Sequence, residues 1–360
     1  MGGHRGPRPR HRCLQPHSGV PLPEEGGAPS VNPSVVVPDR LRGRDFISTQ
    51  DWSLEELELL FILAGQLKKA RREAEPTHLL PAKTLYMIFF DASTRTRNSF
   101  ETGITQLGGH GIYLSPDRMQ ISHGENAKDT AKVLSRYGDG IAIRHCTYGE
   151  GNAYIREVAE HADIPVLSMQ DDVYHPCQVL ADYMTIRERF PSTRGLKLGV
   201  AWTSAPNYVR PLSVPQSLIL MMPRLGLDVT LAYPPEFRLL PEIEEQARAN
   251  AEAAGSRFQI SHRFEDAFED ADVVVPKSWG PLVHTRDVAE GLRLIEKYPR
   301  WRCDAERIAL GKEHLVYMHP LPADRGREVT DEVIDGPHSA VYDEAENRLH
   351  VQKALMALVM

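Results

Sequence analysis

Asp91-Ala-Ser-Thr-Arg-Thr-Arg-Asn-Ser-Phe100 follows directly on Leu85-Tyr-Met-Ile-Phe-Phe90, an apolar run of strand length. Beyond it, Phe100, Ile104 and Leu107 recur at helical spacing. Residues 93–97 therefore fall in a strand-to-helix turn, at the helix N-terminus. Backbone N–H groups are free there and the helix dipole presents its positive end. The turn also gathers three hydroxyls (Ser93, Thr94, Thr96) and two guanidiniums (Arg95, Arg97). Hydroxyls and amides donate to oxygen, and arginine grips phosphate or carboxylate with two parallel bonds. The plainer reading is a polar helix cap with solvated arginines, but one hydroxyl suffices for a cap. This density of donors favours a phosphate cradle.

Working outward, the 360 residues suggest two domains, with 41% hydrophobic and 25% charged residues, ordinary globular material. A net charge of −7 without a basic stripe argues against a nucleic-acid partner, and no apolar stretch reaches membrane-spanning length. Cys13, Cys146, Cys177 and Cys303 are scattered. They suggest neither a disulfide framework nor a metal site, which fits a reducing, cytoplasmic setting. Residues 1–40 are rich in Gly, Pro, Arg and His and read as a disordered tail. An Arg-rich targeting peptide is the alternative, but its Pro and Gly content spoils an amphipathic helix.

Order is expected from Phe46. Ser53 and Glu56 make a capping box for a helix over 54–67. Strands are predicted at 85–90, 110–114, 140–144 and 164–169, with helices after 93 and over 129–137, 154–161 and 176–190. After the break at 191–195 come strands at 196–203, 228–233, 272–275, 314–318 and 340–343. Helices follow at 213–225, 241–254, 286–297, 329–335 and from 346 to the C-terminus. This alternation predicts parallel α/β sheets. His175-Pro-Cys-Gln178 opens a helix directly after a strand. Proline suits the first helical position, which leaves His175 at the cap and Gln178 on its face. Both are placed at the carboxyl edge of the sheet, where open α/β sheets bind ligands. A lone His-Pro is more often a turn than a catalyst, whereas His-Pro-x-Gln at a strand-to-helix junction is as readily one as the other.

Ser93-Thr-Arg-Thr-Arg97, His175-Pro-Cys-Gln178, Gly124-Glu-Asn-Ala-Lys-Asp-Thr130 through Arg144, His319-Pro-Leu-Pro322 and Glu344-Ala-Glu-Asn-Arg348 occur in this order. Together they resemble the aspartate/ornithine carbamoyltransferase family over nearly the whole chain from Phe46. Lys277-Ser-Trp-Gly280, 46–53 and the Pro-rich loop 204–215 are similar to its knotted branch, which includes N-acetylornithine carbamoyltransferase. The resemblance implies two doubly wound parallel-sheet domains joined by helices. These are a carbamoyl-phosphate domain (41–190 plus 344–360, the C-terminal helix returning to it) and an acceptor domain (191–343) with a trefoil knot.

It also implies carbamoyl transfer from carbamoyl phosphate to the amino group of ornithine or an N-acylated ornithine-like acceptor, with no metal or other cofactor. Ser93, Thr94, Arg95, Thr96 and Arg144 are assigned to phosphate, His175 to the carbamoyl oxygen and Gln178 to the carbamoyl amide. Arg348, Pro320 and Leu321 would close the site, and Gln120 would reach a neighbouring subunit's site in a homotrimer or a multiple of one. Lys277 stands where ornithine-type members carry an acid. It would attract a carboxylate and repel a free ammonium, unless it is merely solvated at a loop tip. Pro320 and this cation also resemble aspartate-type members, which keeps aspartate as the alternative acceptor. A non-catalytic scaffold binding phosphate metabolites is a rival, although the chemistry residues are all present. A nicotinamide-dependent dehydrogenase lacks its Gly-x-Gly-x-x-Gly turn.

Overall fold

A computed structural model describes residues 39–205 and 210–360. The first half runs α1 (Leu54–Arg72), β1 (Thr84–Phe89), α2 (Thr94–Gln106), β2 (His110–Leu114), α3 (Ala127–Tyr137), β3 (Gly140–His145), α4 (Gly151–His161), β4 (Val166–Asp171) and α5 (Pro176–Arg189). The second runs β5 (Lys197–Trp202), α6 (Ser213–Arg224), β6 (Asp228–Ala232), α7 (Pro241–Ala254), β7 (Phe258–Ser261), β8 (Val273–Lys277), α8 (Val288–Glu296), α9 (Ala305–Ile308), β9 (Val316–Tyr317), α10 (Asp331–Ile334) and α11 (Val341–Val359).

The strands form two parallel sheets, ordered β2-β1-β3-β4 and β7-β6-β5-β8-β9. Both reverse their order around a central strand, the arrangement that opens a ligand crevice at the carboxyl edge. β4 and β8 are buried along their whole length, and all but the first residue of β1 and β5 is buried. Such strands read in sequence as continuous apolar runs because helices cover both faces. The Ser53–Glu56 capping box starts α1, each side chain bonding the other's backbone amide. One irregularity matters for function. The β3–β4 register slips between Ile143 and Arg144, so that Arg144 pairs with Gln170 rather than with the residue after Ser168. A bulge of this kind re-aims side chains at a strand end.

α11 packs on α5, α1 and α2, so the last helix returns to the first sheet's helical layer. The apolar core is continuous from that layer to α6 and β5, through contacts of α5 with α6. The strand expected at 340–343 is not one. Tyr317 donates to the His338 carbonyl and Ala340 donates to the Tyr317 carbonyl, giving a single bridge beside β9. The chain then turns into α11 at Val341, five residues before the expected start. β7 and α9 were not expected. The tail over 1–38 and the middle of the Pro-rich loop expected to form a knot, 206–209, lie outside the described residues.

Candidate active site

The carboxyl ends of β1, β3, β4, β8 and β9 converge on one cavity of about 590 Å³, a size suited to small metabolites. Its first wall is the turn after β1. Ser93 is the N-cap of α2 and its Oγ accepts from the Thr96 amide at 3.2 Å. Ser93, Thr94, Arg95 and Thr96 all line the cavity. Arg97 does not. Its guanidinium lies over the Tyr113 ring, 4.0 Å from the centroid, and its Nε donates to Glu101. Helical rotation explains the split, because residues two apart point to different sides. Of the two arginines in the turn, one faces the ligand space.

Arg144, placed by the β3–β4 bulge, and Arg348, from the second turn of α11, bring two further guanidiniums to the same space. Arg144 Nη1 donates to Gln170 Oε1, and Gln170 in turn donates to Ser213 Oγ at 2.9 Å. Arg348 Nη2 donates to Thr96 Oγ1 at 3.0 Å, and its Nη1 donates to Gln178 Oε1 at 2.6 Å. Among the described residues none of Arg95, Arg144 and Arg348 forms a salt bridge with a carboxylate. Burial, then the neighbouring Arg144 and Arg210, pull Arg95 below its ordinary value. Arg348 is pulled down to about 10, chiefly by burial. Arg144 Nε is buried with no partner among the described residues. Three uncompensated cations facing one another are costly unless an anion joins them.

His175 caps α5, with Pro176 at the first helical position as expected. Its amide donates to Ser217 Oγ at 2.8 Å, and its ring reaches the cavity. Burial, followed by the charges of Arg348, Arg144 and Arg95, drives its pKa well below the usual histidine value. The ring is therefore neutral at physiological pH and has one N–H to donate. Gln178 lies behind the cavity. Its Nε2 donates to Asp182 Oδ1 at 2.7 Å and to Glu344 Oε1 at 2.6 Å, while its Oε1 is held by Arg348. It supports Arg348 rather than facing ligand.

The opposite wall holds Lys277, Arg210 and 320–322. Lys277 is 6% exposed, so it is not a solvated loop-tip lysine. Nor is it a bare cation. Its Nζ meets Glu328 Oε1 at 3.0 Å, and Glu328 is fully buried. Burial pulls Lys277 down to about 8 although Glu328 acts the other way. Burial would push Glu328 up, but Lys277, His319 and Arg210 hold it well below the carboxylate range. Glu328 Oε1 also accepts from the Ser278 amide at 2.7 Å, and its Oε2 accepts from the Asp324 amide at 2.7 Å. Arg210 is paired with Asp324 at 2.6 Å and donates to the Pro322 carbonyl at 2.9 Å. The expected cationic acceptor wall is therefore charge-balanced, which the sequence reading missed by overlooking Glu328, Arg210 and Asp324. Gln120 is exposed, in a short turn at 120–123, and does not line its own chain's cavity. Cys146 lines the cavity, but burial pushes its thiol up to about 12, which removes it as a nucleophile.

Family models match both halves: the aspartate/ornithine carbamoyltransferase carbamoyl-P binding domain over 44–188, and the Asp/Orn binding domain over 211–359. The chain belongs to the aspartate/ornithine carbamoyltransferase family. An ornithine carbamoyltransferase of Halalkalibacterium halodurans is 40% identical over 89% of this chain and 96% of its own length. The ornithine carbamoyltransferase structure from Pyrococcus furiosus superposes with a TM-score of 0.81 at 38% identity, covering 91% of this chain and 99% of that one. An N-acetyl-L-ornithine transcarbamylase variant, solved with carbamyl phosphate and N-succinyl-L-norvaline, gives 0.82 at 34% identity, covering 88% and 100%. Carbamoyltransferase chemistry, with the two-sheet fold that accompanies it, is thus the family frame for this cavity.

Proposed function

We propose that this chain moves the carbamoyl group from carbamoyl phosphate to the amino group of ornithine or an N-acylated ornithine-like amino acid, releasing phosphate. One observation carries the reading. Arg95, Arg144 and Arg348 meet at the N-terminus of α2 without a carboxylate partner among the described residues, which is the donor set a phosphoryl dianion needs. Neutral His175 beside them donates to the carbamoyl oxygen. The acceptor amine attacks the carbamoyl carbon, the oxygen gathers negative charge, and the C–O bond to phosphate breaks. The proton lost by the amine leaves with phosphate or water. Positioning and charge stabilisation supply the rate.

The acceptor lies toward Lys277. One Nζ donor goes to Glu328 and one to Ser278 Oγ at 3.2 Å, which leaves one for an acceptor carboxylate. Because Glu328 balances Lys277, an ornithine ammonium nearby is not repelled as a bare lysine would repel it. The same pairing leaves no spare cation on this wall for a second carboxylate, which counts against aspartate. The ornithine and N-acetylornithine enzymes among the relatives support this choice of acceptor class. We read the working unit as a homotrimer in which Gln120 reaches a neighbour's cavity, and the setting as cytoplasmic. Among the described residues no helix is long and apolar enough to cross a membrane.

Purified protein supplied with carbamoyl phosphate and a panel of ornithine, N-acylornithines and aspartate should give carbamoylated product with the ornithine class, scored by mass. Product with aspartate alone, or with no amine, overturns this reading.

A further inference from the structure

Glu344 sits in the first turn of α11, where an acid ordinarily decorates the helix dipole at the surface. Here it is 1% exposed. A buried carboxyl is costly unless its oxygens are used. Both are, and by different halves of the molecule. Oε1 accepts from Gln178 Nε2 on α5 at 2.6 Å, and Oε2 accepts from the His319 backbone amide after β9 at 2.8 Å. No salt bridge joins Glu344 to Arg348 among the described residues. Asp182 and Glu344 hydrogen-bond to one another, and burial raises both.

Followed in both directions, these bonds reach opposite walls of the cavity. On one side Gln178 holds Arg348, which holds Thr96 in the cradle turn. On the other, His319 Nδ1 accepts from the Leu321 amide at 3.0 Å. Thr96, Arg348 and Leu321 line the cavity, whereas Glu344 and Gln178 are buried behind it. Resting on the carbamoyl-transfer reading of this cavity, we propose that Glu344 is a positioning residue whose two oxygens tie the acceptor-side wall at 319–321 to the phosphate-side chain Gln178–Arg348–Thr96. Filling the phosphate side then steadies the acceptor wall through one carboxyl.

Glu344→Gln tests this. The amide keeps the length, but its nitrogen cannot accept, so one of the two ties is lost in either orientation. The acceptor KM is expected to rise about tenfold while the Kd for inorganic phosphate stays within about twofold. In the wild type, saturating phosphate should slow backbone amide exchange at His319 and Leu321. In Glu344→Gln, phosphate should bind without that slowing. Asn347→Ala is the structural control. Asn347 is buried on the same helix and bonded to Lys68, Thr185 and Glu188, off this chain of bonds. It should lower the melting temperature and leave both the KM and the exchange response in place. Should Glu344→Gln fail to fold, Glu344→Asp, one methylene short of spanning both partners, carries the same expectation. A variant with wild-type acceptor KM and intact phosphate-slowed exchange overturns the proposal. If the wild type makes no product, yet the exchange response is present and lost in the variant, the carbamoyl-transfer reading falls and the tie stands.

Discussion

Arg95 brings its charge to the cavity with no carboxylate sharing it among the described residues, whereas Arg97 is engaged with Glu101 and Tyr113. Arg95→Ala should therefore lower kcat/KM by about 100-fold or more, the scale on which lost transition-state donors act. It should barely move the melting temperature, since no ion pair is broken. Steady-state kinetics at the wild-type rate would remove Arg95 from the site. Lys277 gives a pH prediction. Burial sets its pKa near 8, below the ordinary 10.5. Between those values the unfolded chain holds more protons than the folded one, so the stability penalty of burying Lys277 shrinks as pH rises. Over the same window the acceptor loses its charged partner. Acceptor kcat/KM should fall above about pH 8, and Lys277→Arg, which keeps its charge, should move that limb upward; an unmoved limb would place the titration elsewhere. That the 93–96 turn and His175 would face a cavity was legible in sequence, because hydroxyls, arginines and His-Pro cluster at strand-to-helix junctions. Glu328 was not. It stands in the run Ala323-Asp-Arg-Gly-Arg-Glu328, which reads as solvated loop. Only the fold brings Lys277 to it.

Among the elements, the parallel strands were legible for a physical reason. Buried on both faces, they are short apolar runs bounded by turn residues. Phe258-Gln-Ile-Ser261 escaped because β7 is an edge strand whose residues are partly exposed, so its pattern is weak. Residues 340–343 misled for the opposite reason. An apolar start followed by charge looks like a strand running into a loop, yet burial of most of α11 from Val341 onward makes it the first helical turn. Packing between elements is invisible to such patterns, and Gly199 is the sharpest case. It lies mid-strand in β5, where a Cβ would come within 1.7 Å of the Ala267 carbonyl oxygen. That oxygen belongs to backbone and cannot swing aside. Gly199→Ala should destabilise the chain by about 3 kcal/mol or more, at the upper end for overpacking, read as a lowered urea midpoint. A wild-type midpoint would mean that the turn at 265–267 yields, and that β5 and this turn are less tightly joined than they stand.

At the scale of the whole molecule, Gln120 is the residue that a single chain does not explain. It is exposed, on a short turn between β2 and α3, away from its own cavity. The cavity itself is open toward solvent beside Ala92 and Thr94, both exposed, and a site for carbamoyl transfer needs water kept from the reacting carbon. In the trimer proposed above, a neighbouring chain's turn at 120–123 would supply that cover. Complementation tests it. His175→Ala damages the cavity of its own chain. Gln120→Ala damages the cavity of the chain it reaches. Each homotrimer should be nearly inactive. After subunit exchange, a His175→Ala chain still offers an intact Gln120 to a neighbour whose His175 is intact, so a mixed trimer contains one undamaged site. Activity should then rise well above either parent and track the fraction of mixed trimer, measured by native mass spectrometry with differently tagged chains. If tagged chains exchange and no activity appears, the cavity is complete within one chain. Gln120 then belongs to the surface, and the exclusion of water must come from closure of the two sheets on each other.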